Sequence, residues 1–313
     1  MRNTVLMTLV LALVLSGGQF AEGYWTTPAT FEPANSVGSD FGVTFAPDGL
    51  SFYVQTNRDT GGMHADIYQS VRSDTSSPWS VPAPIAEWNT IEHDGASWVS
   101  PDNLEAYLYR HPGGDFLVAC DLYRSTRASA TDAWGAPALI DELTTDKGEY
   151  DLRPTGDGLH AVLTSARYGT QGSADIWWTS RSDVSEPWGM PVNLSELNTG
   201  YYEGNAAVSA DGLRIFFASS RPGGLGGMDL YVAERDSLES AFAAPTLMSA
   251  FNSEWDEQEP SLSPDGQTVY FRSNRPGGLG DQDIWCSTWI PEPSSLFGLL
   301  ACALLAGGAR RRA

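Results

Sequence analysis

The chain has 313 residues, 42% of them hydrophobic, and a formal net charge of −21 at pH 7. Nucleic acid and anionic membrane surfaces bind clustered Lys and Arg, so this charge excludes both as principal partners. It is compatible with cationic ligands, metals, neutral glycans or solubility alone. Three Cys are too few for a disulfide scaffold, whereas 11 Trp, 12 Tyr and 12 Phe suit a protein built of strands.

Residues 1–21 have the pattern of a secretory signal peptide. Arg2 precedes an apolar run over residues 5–15, and small residues follow. The run is too short to cross a bilayer, which favours a removed leader over a spanning helix. We expect cleavage between Gly18 and Ala21.

A block of about 54 residues repeats along most of the remaining chain. Each copy has an Asp in a tight turn, at Asp48, Asp102, Asp157, Asp211 and Asp265. Each also has an Asp followed by Ile or Leu and an aromatic residue, at Asp66, Asp121, Asp175, Asp229 and Asp283. Such self-similarity at a fixed period is typical of repeat architectures.

A third marker indicates how the repeats close on themselves. It is an aromatic residue three positions before a Pro, at Trp79, Trp134, Trp188 and Phe242. The fifth copy is missing after the last repeat and is found near the N-terminus as Trp25. A first strand that completes the last blade removes the free edges of a propeller. The sequence therefore predicts an all-β, five-bladed β-propeller over residues 22–290, closed by the strand around Trp25–Thr30.

The first block shows how four antiparallel strands make one blade. Residues 41–46 alternate in hydrophobicity, and Pro47-Asp48-Gly49 forms a tight turn into a second strand at residues 50–56. A Gly-containing loop leads to a third strand at residues 66–72, and a fourth begins near Trp79. We expect the aromatic residue of the third marker to pack between blades.

The repeats resemble the WD-repeat-like motifs of TolB-type periplasmic proteins. The residues that carry the resemblance are Ser263-Pro264-Asp265-Gly266, Tyr270-Phe271, Ser273–Gly278 and Asp283-Ile284-Trp285. It extends over about residues 25–290, and the second block departs from it where Asn103 replaces Gly. The resemblance implies a propeller of the cell envelope that serves protein–protein contact, and it does not imply an enzyme.

Charged residues also recur with the blocks. An acid stands eight residues before each turn Asp, at Asp40, Asp94, Glu149, Glu203 and Glu257. An Arg stands eight to ten residues after it, at Arg58, Arg110, Arg167, Arg221 and Arg275. Together with the Asp of the second marker, we expect these positions to meet around the mouth of the central channel. Five carboxylates there would suit a hard cation such as Ca²⁺. Alternatively, each Arg is shared between two acids and the charges form a structural seam. The sequence leaves both alternatives open, so we name no metal.

An active site in a propeller requires residues that break the repeat. Five-bladed propellers that hydrolyse glycosides use two carboxylates whose environments differ, and here nearly every acid at the mouth has a counterpart in each block. His93 beside Asp94 is the best candidate for an unrepeated residue, with Trp98 and Glu105 in the same block. No Ser-His-Asp or metal-ligand spacing is present, so we assign no catalytic residue.

The C-terminal tail has three parts in order. Pro291-Glu292-Pro293 precedes an apolar stretch from Leu296 to Ala306, and Arg310–Arg312 follow. This order resembles the PEP-CTERM sorting signal of Gram-negative bacteria over residues 291–313. The resemblance implies an exosortase-type enzyme as partner, which would remove the tail. A retained membrane anchor with a basic cytoplasmic end is the alternative.

These features predict an exported, monomeric protein of the cell surface or extracellular matrix. The main interpretation is a non-catalytic scaffold propeller that binds envelope proteins or exopolysaccharide. One alternative is a lectin-like glycan binder, suggested by Trp177-Trp178 and Tyr201-Tyr202. The other is a glycoside hydrolase-like enzyme that uses channel carboxylates, supported only by the fold class.

Overall fold

The computed structural model describes residues 13–15, 19–21, 23–113 and 116–291. Most of the predicted signal peptide, and Glu292 and Pro293 with the rest of the predicted sorting tail, lie outside the described residues. The short strands β1 (Leu13–Leu15) and β2 (Gln19–Ala21) pair with each other antiparallel. In the part of the chain that the structure describes, no helix is long and apolar enough to span a membrane.

Five antiparallel sheets follow one another along the chain, and each is one blade. Blade one has β5 (Asp40–Phe45), β6 (Ser51–Thr56), β7 (Asp66–Val71) and β8 (Ala83–Pro84). Blade two has β9 (His93–Val99), β10 (Glu105–His111), the one-turn helix α1 (Phe116–Ala119), β11 (Asp121–Thr126) and β12 (Ala138–Leu139). Blade three has β13 (Glu149–Pro154), β14 (His160–Ser165), β15 (Asp175–Ser180) and β16 (Val192–Asn193). Blade four has β17 (Glu203–Val208), β18 (Arg214–Ser219), β19 (Asp229–Glu234) and β20 (Thr246–Leu247).

Blade five is built from both ends of the chain. It has β21 (Glu257–Leu262), β22 (Thr268–Ser273) and β23 (Asp283–Pro291), and its outer edge is formed by β3 (Gly23–Trp25) and β4 (Ala29–Thr30). The Trp25 ring packs edge-on against Phe251 and Trp289 at centroid distances of 5.1 and 5.4 Å. The predicted five-bladed propeller, with four-stranded antiparallel blades and closure by the N-terminal strand, is therefore confirmed.

The turn between the first two strands of a blade explains one departure from the repeat. Gly49 takes a left-handed backbone, with φ of 68°, and Leu50 N–H donates to the Asp48 carboxylate. Asn103 takes the same conformation at φ 60°, since Asn is among the few residues with a side chain that tolerate this region. The second block thus keeps the same turn without its Gly.

The aromatic residue of the third marker packs between blades, as predicted. Trp134 of blade two donates its indole N–H to the Tyr53 hydroxyl of blade one at 3.3 Å, and Trp188 of blade three donates to Tyr107 of blade two at 3.3 Å. An Arg guanidinium lies over these rings, as Arg127 does over Trp134 at 4.1 Å. These stacks fix the blades around the axis, where the first strands of neighbouring blades contact each other and line the channel.

Candidate active site

The recurring acid–Arg positions form five separate ion pairs, here called the seam. Each acid begins the first, innermost strand of its blade and is almost completely buried. Each is paired with the Arg of its own blade, in the pairs Asp40–Arg58 (3.0 Å), Asp94–Arg110 (2.5 Å), Glu149–Arg167 (3.6 Å), Glu203–Arg221 (3.3 Å) and Glu257–Arg275 (2.8 Å). The arrangement is therefore a set of five pairs, in which each Arg faces a single acid.

The carboxylates of the seam have further donors in the loop that joins consecutive blades. Glu203 accepts hydrogen bonds from the backbone N–H and hydroxyl of Thr199 and from the Ser219 hydroxyl, and Arg221 donates to the Leu197 carbonyl. Burial raises the pKa of Glu149 in the same position of blade three, while its hydroxyl and backbone donors and Arg167 oppose the rise. The seam thus holds each inter-blade loop against its inner strand.

The Asp of the second marker begins the third strand of its blade, at the same end as the seam acid, since Glu203 and Asp229 both pair with Ser219. Asp229 accepts hydrogen bonds from the backbone N–H groups of Leu225 and Gly226, and Asp283 does the same with Leu279 and Gly280. These Asp residues close their own Gly-rich loops. Within the described ranges, no group of three or more His, Cys, Asp or Glu side chains is placed to hold a metal ion.

A different set of residues in the channel breaks the fivefold repeat. The position two residues after each seam acid is occupied by Gly42, Ala96, Asp151, Asn205 and Glu259. In blades three to five it has a left-handed backbone, with φ of 57°, 51° and 51°, at a bulge where the pairing with the second strand shifts. Non-glycine residues held in this conformation are concentrated at functional sites.

Asp151 is held in the channel by two neighbours. The Asn205 amide donates to Asp151 Oδ2 at 2.8 Å, and the Tyr202 hydroxyl donates to the Asn205 carbonyl oxygen at 3.0 Å. Asp151 Oδ1 lies 3.8 Å from Nη2 of Arg153 and has no hydrogen-bond partner among the described residues. This carboxylate is 1% exposed, so one of its oxygens is buried with only a distant cation beside it.

Glu259 lies in a different environment on the opposite side of the channel. Its carboxylate is 3.6 Å from Nε of Arg272, and a Cβ on Gly42 of the next blade would collide with its Oε2. Burial raises the pKa of Glu259, the nearby Asp151 raises it further, and Arg272 and Arg153 oppose both. The two channel carboxylates therefore lie in different environments, whereas the five seam acids share one kind of environment.

Arg153 connects these carboxylates to a cavity. It belongs to blade three but donates from Nη1 to the Pro260 carbonyl of blade five at 2.6 Å, and so crosses the channel. Beyond it a cavity of about 940 Å³ opens on the face of the hairpin turns. Its floor takes one residue from each blade, at Thr44, Trp98, Arg153, Ala207 and Ser261, and Trp25 lines its wall.

The predicted histidine candidate lies outside this cavity lining. His93 stacks on His111 with a centroid distance of 4.4 Å, and Ala65 N–H donates to His93 Nδ1 at 3.2 Å. Burial lowers the pKa of both, and the pKa of His111 falls to about 4. The pair joins the start of β9 to the end of β10 in blade two, while Asp151 and Glu259 belong to blades three and five.

Sequence analysis missed Asp151, Arg153, Asn205 and Glu259, although the sequence contains a signal for them. Once the inner strands are aligned on the seam acids, the second and fourth residues after the acid differ in charge from blade to blade. A search for residues that all five repeats share overlooks this variation in charge. Comparing them for what differs would have found it.

The comparisons with known proteins concern the fold. No protein-family model matches the chain, and no curated protein does either. A thermostable family-43 glycoside hydrolase is similar in structure, with 11% identity over 84% of this chain and 92% of the other and a TM-score of 0.53. Arabinanase Arb43A of Bacillus subtilis has 12% identity over 80% of this chain and 94% of the other, with a TM-score of 0.53. A protein of unknown function from Dyadobacter fermentans has 11% identity over 86% and 99%, with a TM-score of 0.52.

The main interpretation of the sequence, a non-catalytic scaffold, is contradicted. It depended on the symmetry of the acids, and the channel contains two buried acids, Asp151 and Glu259, at a repeat position that is not acidic in the other three blades. At these identities the likeness shows the fold alone, and it shows the five-bladed propeller, not a TolB or WD-repeat relationship. Two of the three similar structures are glycoside hydrolases.

Proposed function

We propose that the protein is a glycoside hydrolase-like enzyme whose acid and base are the channel residues Glu259 and Asp151. One observation carries the proposal: the propeller holds two buried carboxylates in different environments beneath a cavity large enough for sugar rings. Glycoside hydrolysis needs such a pair, one protonated and one ionised.

Glu259 is suited to be the general acid. Burial and the negative charge of Asp151 raise the pKa of its carboxyl group, so it keeps its proton at a higher pH than an exposed Glu. It would give that proton to the glycosidic oxygen as the bond to the anomeric carbon breaks. Arg272 at 3.6 Å then stabilises the carboxylate that remains.

Asp151 is suited to be the ionised partner. The Asn205 amide donates to it and the Arg153 guanidinium lies near it, and both stabilise negative charge. It would either attack the anomeric carbon or accept a proton from the attacking water. The anomeric configuration of the first product, retained or inverted, identifies which of these occurs.

Access from the cavity depends on Arg153, the floor residue that lies between Asp151 and the cavity. A bound sugar that contacts this guanidinium would compete with its hydrogen bond to the Pro260 carbonyl and draw the side chain aside. Trp25 in the wall and Trp98 in the floor provide flat apolar surfaces for sugar rings.

The test is turnover of a panel of aryl glycosides and bacterial and algal polysaccharides by the purified protein. We expect hydrolysis of at least one, with kcat reduced about 10²–10⁴-fold by Glu259→Gln and strongly by Asp151→Asn. Asp132→Asn, which changes an exposed carboxylate in the loop between β11 and β12 outside the cavity lining, is the matched control. Binding of a glycan without turnover would replace the hydrolase with the lectin-like alternative, and silence on the whole panel would remove both.

We also propose that the enzyme is exported and acts as a monomer outside the inner membrane. The pattern of residues 1–21 supports removal of a leader, and Pro291-Glu292-Pro293 followed by an apolar stretch and terminal Arg residues supports sorting by an exosortase-type enzyme. The TolB-like repeat motifs agree with an envelope location, and exopolysaccharide there would be the substrate. Mass spectrometry of the protein recovered from culture medium tests this, since the intact tail on the recovered chain would contradict removal.

A further inference from the structure

The cavity floor contains a single charged residue. Among Thr44, Trp98, Arg153, Ala207 and Ser261, only the Arg153 guanidinium is ionised. It has one neutral acceptor, the Pro260 carbonyl, and its nearest carboxylate oxygen is 3.8 Å away, beyond hydrogen-bond distance. Most N–H groups of the Arg153 guanidinium therefore do not donate a hydrogen bond to Asp151.

Two buried polar atoms at this floor have no hydrogen-bond partner among the described residues. They are Nε of Arg153 and Oγ of Ser261, and both residues are more than nine-tenths buried. Arg153 reaches the carbonyl of Pro260, the residue next to Ser261, so the two lie side by side. Buried donors without partners are rare in folded proteins and destabilise them, which indicates that something else satisfies them.

The charges in the channel also leave room for an anion. Arg153 and Arg272 face Asp151 and Glu259, two cations against two acids. Burial holds the proton on Glu259 to a higher pH than usual, and with that proton bound one positive charge is in excess. In a buried site such a charge is stabilised by an anionic partner.

We propose that the cavity binds a sugar that carries an anionic group, a carboxylate or a sulfate ester, and that this group is held by Arg153 and Ser261. The inference rests on the proposed function and names its substrate class as acidic glycans. A planar guanidinium with a neighbouring hydroxyl matches the oxygens of such a group in two parallel hydrogen bonds. The rim bears Asp211, Asp236 and Asp265 beside Arg235 and the Arg214–Glu234 ion pair. Its charge is therefore negative on balance, which repels densely charged polyanions and favours isolated acidic sugars in a neutral chain.

The test is calorimetric binding to the unmodified protein of glucuronic acid, galacturonic acid and glucose 6-sulfate, with glucose and galactose as neutral controls. We expect the acidic sugars to bind at least about tenfold more tightly than the neutral ones. The uronic acids and the sulfate ester distinguish the two sources of the anionic group. Equal affinity for acidic and neutral sugars would overturn the proposal.

Two variants locate the contact. Ser261→Ala removes a hydroxyl without a partner and is not expected to unfold the protein, and Arg153→Lys keeps the charge but removes the fork. Each should weaken binding of acidic sugars about 10–100-fold and leave neutral sugars unaffected. Arg124→Gln removes a cation from the outside of blade two and is the control for net charge. Unchanged affinity for acidic sugars in both floor variants would also overturn the proposal.

Failure of this inference and failure of the proposed function give different results. Tight binding of acidic sugars that depends on Arg153, without turnover of any glycoside, supports the binding site and removes the hydrolase. Turnover of neutral glycosides that depends on Glu259, without preference for acidic sugars, supports the hydrolase and removes the acidic substrate class.

Discussion

The seam and the channel set contain the same residue types, buried acids and arginines, yet they differ in two ways. In the seam, carboxylates such as Glu203 have hydroxyl, backbone and guanidinium partners, and the pairing recurs in all five blades. The channel set occurs once, joins blades three, four and five, and leaves Asp151 Oδ1 and Arg153 Nε without partners among the described residues. Repeated, satisfied charges stabilise the ring, whereas unrepeated and unsatisfied charges indicate a site for chemistry or binding.

The largest effect is expected from breaking one pair of the seam. Glu203→Ala leaves Arg221 with no carboxylate and removes the acceptor of Thr199 and Ser219, so we expect a loss of about 3–5 kcal/mol in the free energy of unfolding. Urea denaturation measures it. Glu105→Ala, which breaks the more exposed Glu105–Arg124 pair, should cost less than about 1 kcal/mol. Equal losses in the two variants would contradict a structural role for the seam.

A smaller loss is expected where Glu259 lies against blade one. Gly42→Ala places a Cβ against Glu259 Oε2, and we expect about 1–3 kcal/mol of destabilisation from the overpacking. The loss should largely disappear when Glu259→Ala is already present, and a double-mutant cycle by urea denaturation measures this coupling. Additive losses would show that Glu259 does not lie over Gly42.

Repetition explains what the sequence predicted well. The turn Asp residues and the aromatic of the third marker define the blades, and Trp25 revealed the closure because it completes a set that would otherwise have four members. The seam acids and Arg residues were found by the same comparison, although their partners were not. The spacing does not show that Thr199 and Ser219 satisfy Glu203, since these contacts form only when the loop between blades folds back.

The channel set was not predicted because its contacts cross the ring. Arg153 meets Pro260, 107 residues later in the chain, and no local pattern brings these two together. The bulges that turn Asp151, Asn205 and Glu259 inward depend on a left-handed backbone, which Asn and Asp tolerate but which no periodicity announces. Only the difference in residue type at one repeat position indicated them.

Replacing the channel acid should stabilise the protein while abolishing activity. The pKa of Glu259 is raised in the folded state, so its contribution to stability is fully present below its usual value of 4.5 and is lost as pH rises through the folded pKa. Glu259→Gln removes this loss, and we expect it to be more stable than the unmodified protein at pH 7. Urea denaturation at pH 4.5 and pH 7 measures the difference, which should shrink at the lower pH. Destabilisation by Glu259→Gln would instead indicate that Glu259 has a structural role like that of the seam acids.

The smallest effect concerns the pair His93 and His111 in blade two. Burial and the neighbouring His93 hold the pKa of His111 at about 4, below the usual 6.5, while Asp94 on the same strand opposes the fall for His93. The unfolded chain takes up a proton near pH 6.5 and the folded chain does not, so this stability is present above pH 6.5 and is lost as pH falls towards 4. His111→Phe keeps an aromatic ring against His93. We expect the free energy of unfolding of this variant to fall by about 1 kcal/mol less between pH 7 and pH 5 than that of the unmodified protein. Thermal unfolding across this range, with His160→Phe as control, measures it. An unchanged pH dependence would show that the pair carries no charge-linked stability.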